Sequence, residues 1–381
     1  MAKLNLDGKE IKPLKICVIG DGDFIGACLC EKIIYDSPHQ VTLMDESHKI
    51  KHLFGGNAAR IDRFSYLNID VPADVARLQP VLDAADILIN IPAVCLPADY
   101  STRTFDTIKS NFLDVVPLIE YCSEKNKRLI HLSSSEVYGK TTAGYLLKDD
   151  PLRKDPKFYV LKEDESPCIL GSIDKRRWSY ACAQQLTERL ISAEGDEHGL
   201  EYTIVRAFNW VGPRMDFIPG VDGPCNGVPT VLTSFSNSLL RREPLKLVDG
   251  GYYLRTFCFI EDAMVALLLM IDNPERANGQ IFNVGNPNTE ISIKELANLM
   301  IRVHAKFNRE PRSNYSTVAV SSEVFYGKGY DDCDRRIPDM TIINRQLGWK
   351  PKFTLQEIVE VFLIYQHKTY SKSERSSNRA S

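Results

Sequence analysis

Short apolar runs alternate with longer helical stretches through the first half of the chain. The run at 16–20 is continuously apolar and ends in glycine, which is typical of a strand buried on both faces of a parallel sheet. Similar runs predict strands at 41–45, 64–70, 87–91, 128–133 and 202–207, and helices are predicted at 24–34, 104–126 and 175–194. This alternation predicts an α/β fold with a doubly wound parallel sheet.

The pattern changes after residue 206. Glycine and proline crowd the segment 211–231, which is typical of irregular loops over a cleft, where binding residues concentrate. The predicted organisation is a polar arm at 1–14, a nucleotide-binding domain at 15–205 plus about 255–285, a smaller C-terminal substrate domain at about 206–254 plus 286–370, and a disordered tail at 371–381.

Composition and charge exclude several classes of partner. The 381 residues include 47 Lys and Arg against 50 Asp and Glu, so no strong basic field exists to bind nucleic acid or an anionic membrane. The longest apolar run, 264–271, is far shorter than a membrane span. Ten scattered cysteines without a secretory signal predict a cytoplasmic protein with mostly free thiols.

No metal site is predicted. His48 and His52 have the spacing of two ligands on one helical face, but the sequence offers no third ligand near them. We interpret them as a surface pair.

The loop at 20–26 joins the first predicted strand to the first predicted helix. Glycines in such a loop let the backbone approach a pyrophosphate, which rests on the helix N-terminus. An acid at the end of the second strand binds adenosine ribose hydroxyls, which favours NAD over NADP. A tight turn without a ligand is the alternative. Cofactor-binding residues are expected at Gly20, Gly22, Phe24, Ile25, Gly26, Asp45 and Asp70.

Asp23 departs from this pattern. It is charged at a position where close approach of a ligand favours glycine. If the carboxylate points inward, repulsion of a pyrophosphate costs on the order of a few kcal/mol. The sequence leaves its direction open.

A hydroxyl-rich strand end and a helical tyrosine suggest proton-transfer chemistry. Ser133, Ser134, Ser135 and Glu136 follow the fifth predicted strand, and Tyr180 lies in the helix at 175–194. Ligands of doubly wound sheets bind at the carboxyl ends of strands. The arrangement suits proton transfer on a sugar hydroxyl while a hydride moves to nicotinamide. A turn or capping acid is the alternative interpretation of Glu136.

The sequence resembles the extended short-chain dehydrogenase/reductases, which have a Rossmann-type fold, and within them the plant UDP-apiose/UDP-xylose synthases. The resemblance covers about residues 8–370. The runs that carry it are 95–100, 127–131, 136–141, 177–180, 208–210, 212–219, 239–245 and 336–340.

This resemblance implies an activity and a cofactor. Such enzymes hold NAD, oxidise UDP-glucuronate at C4, and lose CO2 from the resulting β-keto acid. The product is reduced to UDP-xylose, or its ring is opened, rearranged and reduced to UDP-apiose, and NAD is regenerated. A homodimer formed through the helices at 104–126 and 175–194 is also implied.

Roles for individual residues follow from the same resemblance. Tyr180 is expected to be the base for the C4 hydroxyl, with nicotinamide bound beside it, Glu136 to handle protons near the sugar, and Cys95 to assist ring contraction. Arginines bind carboxylates and diphosphates bidentately. The expected substrate-binding residues are Tyr100, Glu136, Arg177, Asn209, Arg255 and Arg336, and Asn111 matches the superfamily's structural asparagine.

Three residues depart from the family's pattern. Gln184 stands where the family has a lysine, one helical turn after Tyr180, so the charge that stabilises a tyrosinate is missing. Ser135 replaces the cysteine of apiose-forming members, and its hydroxyl is a weaker acid than a thiol. Asp23 replaces a glycine of the cofactor loop. We therefore expect weakened or altered redox chemistry.

Two other functions stay open. One is a catalytically silent paralogue that binds a UDP-sugar or pairs with an active homologue. The other is new chemistry on a specialised metabolite, which nothing in the sequence names.

Overall fold

The computed structural model describes residues 3–45, 49–69, 75–91, 100, 102–147, 149–215, 229–327 and 330–377. Within them the strands are β1 (Lys15–Ile19), β2 (Gln40–Asp45), β3 (Phe64–Asn68), β4 (Ile87–Asn90), β5 (Arg128–Ser134), β6 (Val160–Leu161), β7 (Tyr202–Ala207), β8 (Trp210–Val211), β9 (Leu245–Val248), β10 (Leu254–Arg255), β11 (Cys258–Phe259), β12 (Gln280–Val284), β13 (Ile291–Ser292), β14 (Thr317–Val320) and β15 (Ile337–Pro338). The α-helices are α1 (Ile25–Asp36), α2 (Val75–Ala84), α3 (Thr104–Ile108), α4 (Val116–Glu124), α5 (Ser179–His198), α6 (Val231–Arg241), α7 (Ile260–Asp272), α8 (Pro274–Ala277), α9 (Ile293–Asn308), α10 (Ser322–Tyr326), α11 (Thr341–Leu347) and α12 (Leu355–Ser377).

The main sheet has the strand order β12-β7-β5-β4-β1-β2-β3, and every pairing in it is parallel. Consecutive strands β1, β2 and β3 run to one side, whereas β4 returns to the other side of β1. This reversal leaves a crevice at the carboxyl ends of β1 and β4, where ligands of such sheets bind. The predicted α/β, doubly wound fold is confirmed.

Both faces of the sheet are buried. Ile16 and Val18 of β1 belong to one apolar cluster, together with Leu29 and Ile33 of α1. Cys17 and Ile19 alternate with them and face a second cluster on the other side of the sheet. Because each side needs a helical cover, the strands read as continuous apolar runs in the sequence.

The structure adds one edge strand and breaks one predicted helix. β12 pairs with β7 at the edge of the sheet and was not predicted from the sequence. The helix predicted at 104–126 is interrupted by a π-helical turn at Lys109–Leu113, and α4 then begins with Pro117 in its first turn. The turn is held at Asn111, which bonds to Thr107 within its own segment and to Thr187 of α5.

The segments after residue 207 contribute smaller elements. β9 pairs with β14 in parallel, and β10 pairs with β13 in antiparallel fashion. Helices α6 and α9 pack beside these strands. α12 continues to Ser377, into the segment that was predicted to be a disordered tail. The division of the chain into two domains stays a prediction.

Candidate active site

A cavity of about 470 Å³ follows the crevice of the sheet. The loop after β1 lines it at one part, and the strand end of β5 and the start of α5 line another. Segments from the second half of the chain supply the rest of its wall. Residues predicted to bind the cofactor and residues predicted to bind the substrate therefore share one cavity.

The loop after β1 turns sharply into α1. Gly20 has a φ of 93° and Asp21 a φ of 51°, both in the left-handed region. A side chain on Gly20 would collide with the carbonyl oxygen of Ile91 at the end of β4, so glycine is required there. Gly26 packs equally closely on the backbone of Gly20. Both glycines are therefore required by the packing of the turn itself, and their role towards a pyrophosphate stays a prediction.

Two carboxylates accept the amide N–H groups of this loop. Asp21 accepts from the N–H of Ile25 at 2.8 Å and of Phe24 at 3.3 Å. Asp45, at the end of β2, accepts from the N–H of Gly22. Asp23 is half-buried and lines the cavity. Two carboxylates of the loop and one at the end of β2 therefore lie together where a dinucleotide is expected to bind.

The shape of this site fits NAD. Phe24 and Ile25 line the cavity where α1 begins, and a helix N-terminus is where a pyrophosphate binds in such folds. Gly20, Gly22, Gly26 and Asp45 lie around this turn, and their part in holding the cofactor stays a prediction. The negative charges of Asp21, Asp23 and Asp45 act against the binding of its pyrophosphate.

Tyr180 lies in the cavity wall near the start of α5. Its ring stacks on the ring of Tyr100, with centroids 4.7 Å apart and planes 1° from parallel. Both rings are buried, at 4% and 2% exposure. The Arg177 guanidinium lies 5.1 Å from the Tyr100 ring centroid, so a cation, two phenol rings and the cavity meet here.

Gln184 lies one turn further along α5 and is fully buried in a chain of hydrogen bonds. Asn90 donates to Nδ1 of His131 at 3.0 Å, and Nε2 of His131 donates to Oε1 of Gln184 at 3.0 Å. Nε2 of Gln184 then donates to Oδ1 of Asn111 at 3.0 Å. Burial lowers the pKa of His131, so the whole chain is neutral near pH 7.

Three arginines and two carboxylates form a cluster in another part of the cavity wall. Glu136 pairs with Arg177 at 2.9 Å and with Arg336 at 2.8 Å. Asp332 pairs with Arg255 at 2.7 Å and lies 3.5 Å from Arg336. The three arginines and two carboxylates of this cluster carry a net charge of +1, which an anionic ligand can neutralise.

The cluster controls the ionisation of its acids. Burial acts to raise the pKa of Glu136, but Arg177 and Arg336 hold it well below its ordinary value. Burial likewise acts to raise the pKa of Asp332. Arg255 acts in the opposite direction, and the pKa is lowered overall. Nε and Nη1 of Arg177 and Nε of Arg336 are buried and have no hydrogen-bond partner among the described residues. These donors are available to an anion.

Other predicted residues are placed as follows. Ser133, Ser134 and Ser135 all line the cavity; Ser133 also donates to Glu188, and Ser134 accepts the N–H of Glu136. Asn209 also lines the cavity and donates to the carbonyl of Thr256 at 2.8 Å. Cys95, Asp70 and His48 lie outside the described residues.

The sequence did not point to Asp332 or Asp21. Asp332 lies in an irregular segment before β15, away from any strand end of the main sheet, so no periodic pattern marks it. Tyr330 donates to Asp332 at 3.0 Å and lines the same cavity. A signal for Asp21 was present, because an acid directly after the first glycine of the loop is well placed to cap the helix.

Comparison with known proteins agrees with this geometry. The profile of the NAD dependent epimerase/dehydratase family matches residues 16–285. The chain belongs to this family.

Two curated relatives cover nearly the whole chain. The UDP-D-apiose/UDP-D-xylose synthase 2 of Arabidopsis thaliana is 60% identical over 373 residues, which span 97% of this chain and 96% of the relative. The UDP-D-apiose/UDP-D-xylose synthase of Oryza sativa subsp. japonica is 58% identical over 383 residues, or 100% and 96% of the two chains. The resemblance stated from the sequence is confirmed.

Solved structures share the fold. The PbgP3 protein from Burkholderia pseudomallei has a TM-score of 0.78 at 28% identity and covers 96% of this chain and 99% of its own. A UDP-glucuronic acid 4-epimerase from Bacillus cereus, in complex with UDP-glucuronic acid and NAD, has a TM-score of 0.72 at 20% identity and covers 94% and 100%. The second likeness concerns the fold alone.

Neither a metal-ion site nor a membrane-spanning helix is found among the described residues. No group of three His, Cys, Asp or Glu side chains there is placed to hold a metal ion. In the same part of the chain, no helix has the length and apolar character needed to cross a membrane.

Proposed function

We propose that this protein is an NAD-dependent enzyme that oxidises and decarboxylates UDP-glucuronate to UDP-xylose, with UDP-apiose as a minor product or none. The observation that carries this proposal is the arginine cluster with its unpaired donors, in the same cavity as Tyr180 and the glycine loop. The curated relatives, named as UDP-D-apiose/UDP-D-xylose synthases, support the same substrate class.

The cluster favours an anionic sugar over a neutral one. Arg177 and Arg336 offer buried N–H groups, and a carboxylate is the ligand that such groups bind most strongly. The excess positive charge of the cluster is then neutralised by the substrate. Because the site is buried, this pairing is stronger than a surface ion pair.

Proton transfers are assigned to Tyr180 and Glu136. NAD, when bound, accepts the hydride from C4 of the sugar and later returns it. Tyr180 takes the proton of the C4 hydroxyl as the C4–H bond breaks, which leaves a ketone at C4. The bond from C5 to the carboxylate then breaks, CO2 leaves, and its electron pair forms an enolate with the C4 carbonyl. A proton added at C5 completes the decarboxylation.

Glu136 is in its ionised form at the start of this sequence. Its lowered pKa suits a group that orients the sugar or accepts a proton, and it does not suit a proton donor at pH 7. Arg177 and Arg336 hold its carboxylate in one orientation from two sides. Substrate that binds to the same arginines is thereby brought next to Glu136.

We infer that turnover is slower than in family members with a lysine at position 184. The hydrogen-bonded chain through Gln184 is neutral, so it contributes no field that stabilises the tyrosinate form of Tyr180. Ser135 in place of a cysteine is inferred to disfavour ring contraction, and therefore UDP-apiose.

A homodimer is proposed through α3, α4 and α5. Phe105, Leu113 and Leu186 lie on these helices or on the π turn between them and are 71%, 50% and 48% exposed. Large apolar side chains in one region of a monomer surface suit contact with a second copy. We place the reaction in the cytoplasm, as expected from the composition.

A catalytically silent protein is the second candidate. The observation in its favour is that Asp21 and Asp45 accept the N–H groups of the cofactor loop. Such a protein would bind the UDP-sugar in the arginine cluster without converting it.

The two candidates differ in turnover. Purified protein is incubated with UDP-glucuronate and NAD, and the products are analysed by mass spectrometry, with Tyr180→Phe as the inactive control. We expect UDP-xylose and CO2 from the wild type and neither from the control. UDP-glucuronate that binds to both proteins and is converted by neither would support the silent candidate.

A further inference from the structure

The carboxylate of Asp21 lies where an anion is expected in this fold. Helix α1 begins directly after the loop, and the N–H groups of Phe24 and Ile25 point out of its first turn. Both donate to Asp21, at 3.3 Å and 2.8 Å. A side-chain oxygen that accepts such N–H groups does for them what an anion would do.

The backbone of Asp21 is committed to this arrangement. Its φ of 51° is one that aspartate and asparagine tolerate better than most residues. Its carbonyl also accepts the N–H of Gly26 at 2.9 Å. The residue is therefore fixed by the turn, and only its side chain is able to leave the amides.

We propose that Asp21 competes with the pyrophosphate of NAD for the N–H groups of Phe24 and Ile25, so that NAD binds reversibly and with uptake of a proton. This inference rests on the proposed function in one respect, that the loop is a dinucleotide site. To admit the pyrophosphate, the carboxylate must turn away or become neutral, because two anions cannot share the same donors without a large Coulomb penalty.

The surroundings of Asp21 favour the neutral, protonated form of its side chain. Burial raises its pKa to about 7 although the hydrogen bonds from Ile25 and Phe24 act to lower it, and the nearby charges of Asp45 and Asp23 act in the same direction as burial. Among the described residues, the other titratable groups around the loop are Cys28 on α1, Tyr66 on β3, and the ion pair of Arg214 with Glu31. None of them places a cation against Asp21 in the described contacts.

The sign of the pH dependence follows. A bound pyrophosphate raises the pKa of Asp21 further, so the complex holds a proton that free protein has lost above about pH 7. The dissociation constant of NAD should therefore rise as the pH rises above about 7, by at most about tenfold per pH unit for one linked proton.

The test measures NAD binding alone. NAD is titrated into the full-length protein by calorimetry between about pH 6 and about pH 9, in buffers with different ionisation enthalpies, which reveals proton uptake. Asp21→Asn keeps the backbone preference and the shape and removes the charge. Asp21→Gly is a second variant, since glycine adopts this φ without strain. Asp23→Asn is the matched control, because it removes a charge from the same loop but not the contact with the amides.

We expect the wild type to take up protons on binding and Asp21→Asn to take up none. At about pH 8 the variant should bind NAD about tenfold more tightly or better, while Asp23→Asn keeps the proton uptake of the wild type. Equal tightening and equal loss of proton uptake in the two variants would overturn the proposal, as would a wild-type affinity that is flat across this pH range. Catalysis is not part of this test, so a protein that binds NAD as described and converts no UDP-glucuronate would count against the proposed function alone.

Discussion

Gln184 shows how one substitution is accommodated at a buried position next to a reactive group. Its amide both accepts and donates, so it joins His131 to Asn111 without an unpaired atom. A lysine has no acceptor and would have to displace the N–H of His131. Glutamine therefore fits this position, and no residue of the hydrogen-bonded chain replaces the positive charge of the family's lysine.

Gln184→Lys should restore charge beside Tyr180 at a cost in stability. A cation one helical turn away stabilises the tyrosinate, so kcat at pH 7 should rise about tenfold and the alkaline rise of the pH–rate profile should move to lower pH. The loss of the acceptor for His131 should lower the free energy of unfolding by about 1–3 kcal/mol. Steady-state kinetics across pH and denaturant unfolding measure the two effects. Gln185→Lys, half-buried on the same helix, is the control and should leave the profile in place. An unchanged profile in Gln184→Lys would contradict this reasoning.

Ser135→Cys addresses the choice of product. Ser135 is buried and lines the cavity, and a thiol is more acidic than a hydroxyl by several pKa units. We expect the ratio of UDP-apiose to UDP-xylose to rise by about tenfold while total turnover changes less. Chromatography of the UDP-pentoses measures the ratio, and Ser236→Cys, at a buried serine that is not part of this cavity's lining, is the control. An unchanged ratio would mean that this position does not decide the product.

Individual residues were predictable to different degrees. Tyr180, Glu136, Arg177 and Arg336 were inferred through their motifs, and the structure brings them to one cavity. Asp332 was missed because its role depends on long-range contacts with Arg255 and Arg336, which no local pattern records.

Secondary-structure elements were predicted where burial governs the pattern. β1 and β5 are buried along nearly their whole length, and their apolar runs marked them within one residue at either end. β12 was missed because it is an edge strand with half-buried residues at its start. The π turn after α3 was missed because it depends on hydrogen bonds of Asn111 and Thr187, which belong to different helices.

The exposed apolar side chains of α3, of α5 and of the π turn after α3 lead to a prediction on assembly. Leu186 is 48% exposed on α5, so Leu186→Glu would bury a charge in the proposed dimer interface. We expect the wild type to sediment as a dimer at micromolar concentration and this variant as a monomer. Leu147→Glu, at a side chain that is 82% exposed outside these helices, is the control and should stay dimeric. A wild type that sediments as a monomer would remove the dimer from the proposal.

At the scale of the whole molecule, Glu163 connects separate parts of the fold at an energetic cost. Its Oε1 accepts the N–H of Asn283 in β12 at 2.7 Å, whereas its buried Oε2 has no partner among the described residues. Burial raises the pKa of Glu163 to about 7. Since this folded-state pKa lies above the unfolded value, the contribution of the group to stability is complete at low pH and is lost as the pH rises towards and through about 7.

Glu163→Gln should therefore stabilise the protein only at high pH. At about pH 8 the free energy of unfolding should increase by about 1–2 kcal/mol, and near pH 4 the change should be close to zero. Urea unfolding at both pH values measures the difference. Glu165→Gln, at an exposed residue paired with Lys162, is the control and should show no such pH dependence. Equal effects at both pH values would contradict the raised pKa of Glu163.

The most direct measurement on the whole molecule follows the hydrogen at C4 of the sugar. UDP-glucuronate that carries deuterium at C4 is incubated with the protein and unlabelled NAD, and the UDP-pentose is analysed by mass spectrometry. If NAD stays bound during a cycle that oxidises and reduces C4, the product should be lighter by the mass of CO2 and should keep its deuterium. A UDP-pentose without deuterium, or UDP-glucuronate recovered unchanged although it binds, would contradict the proposed redox cycle.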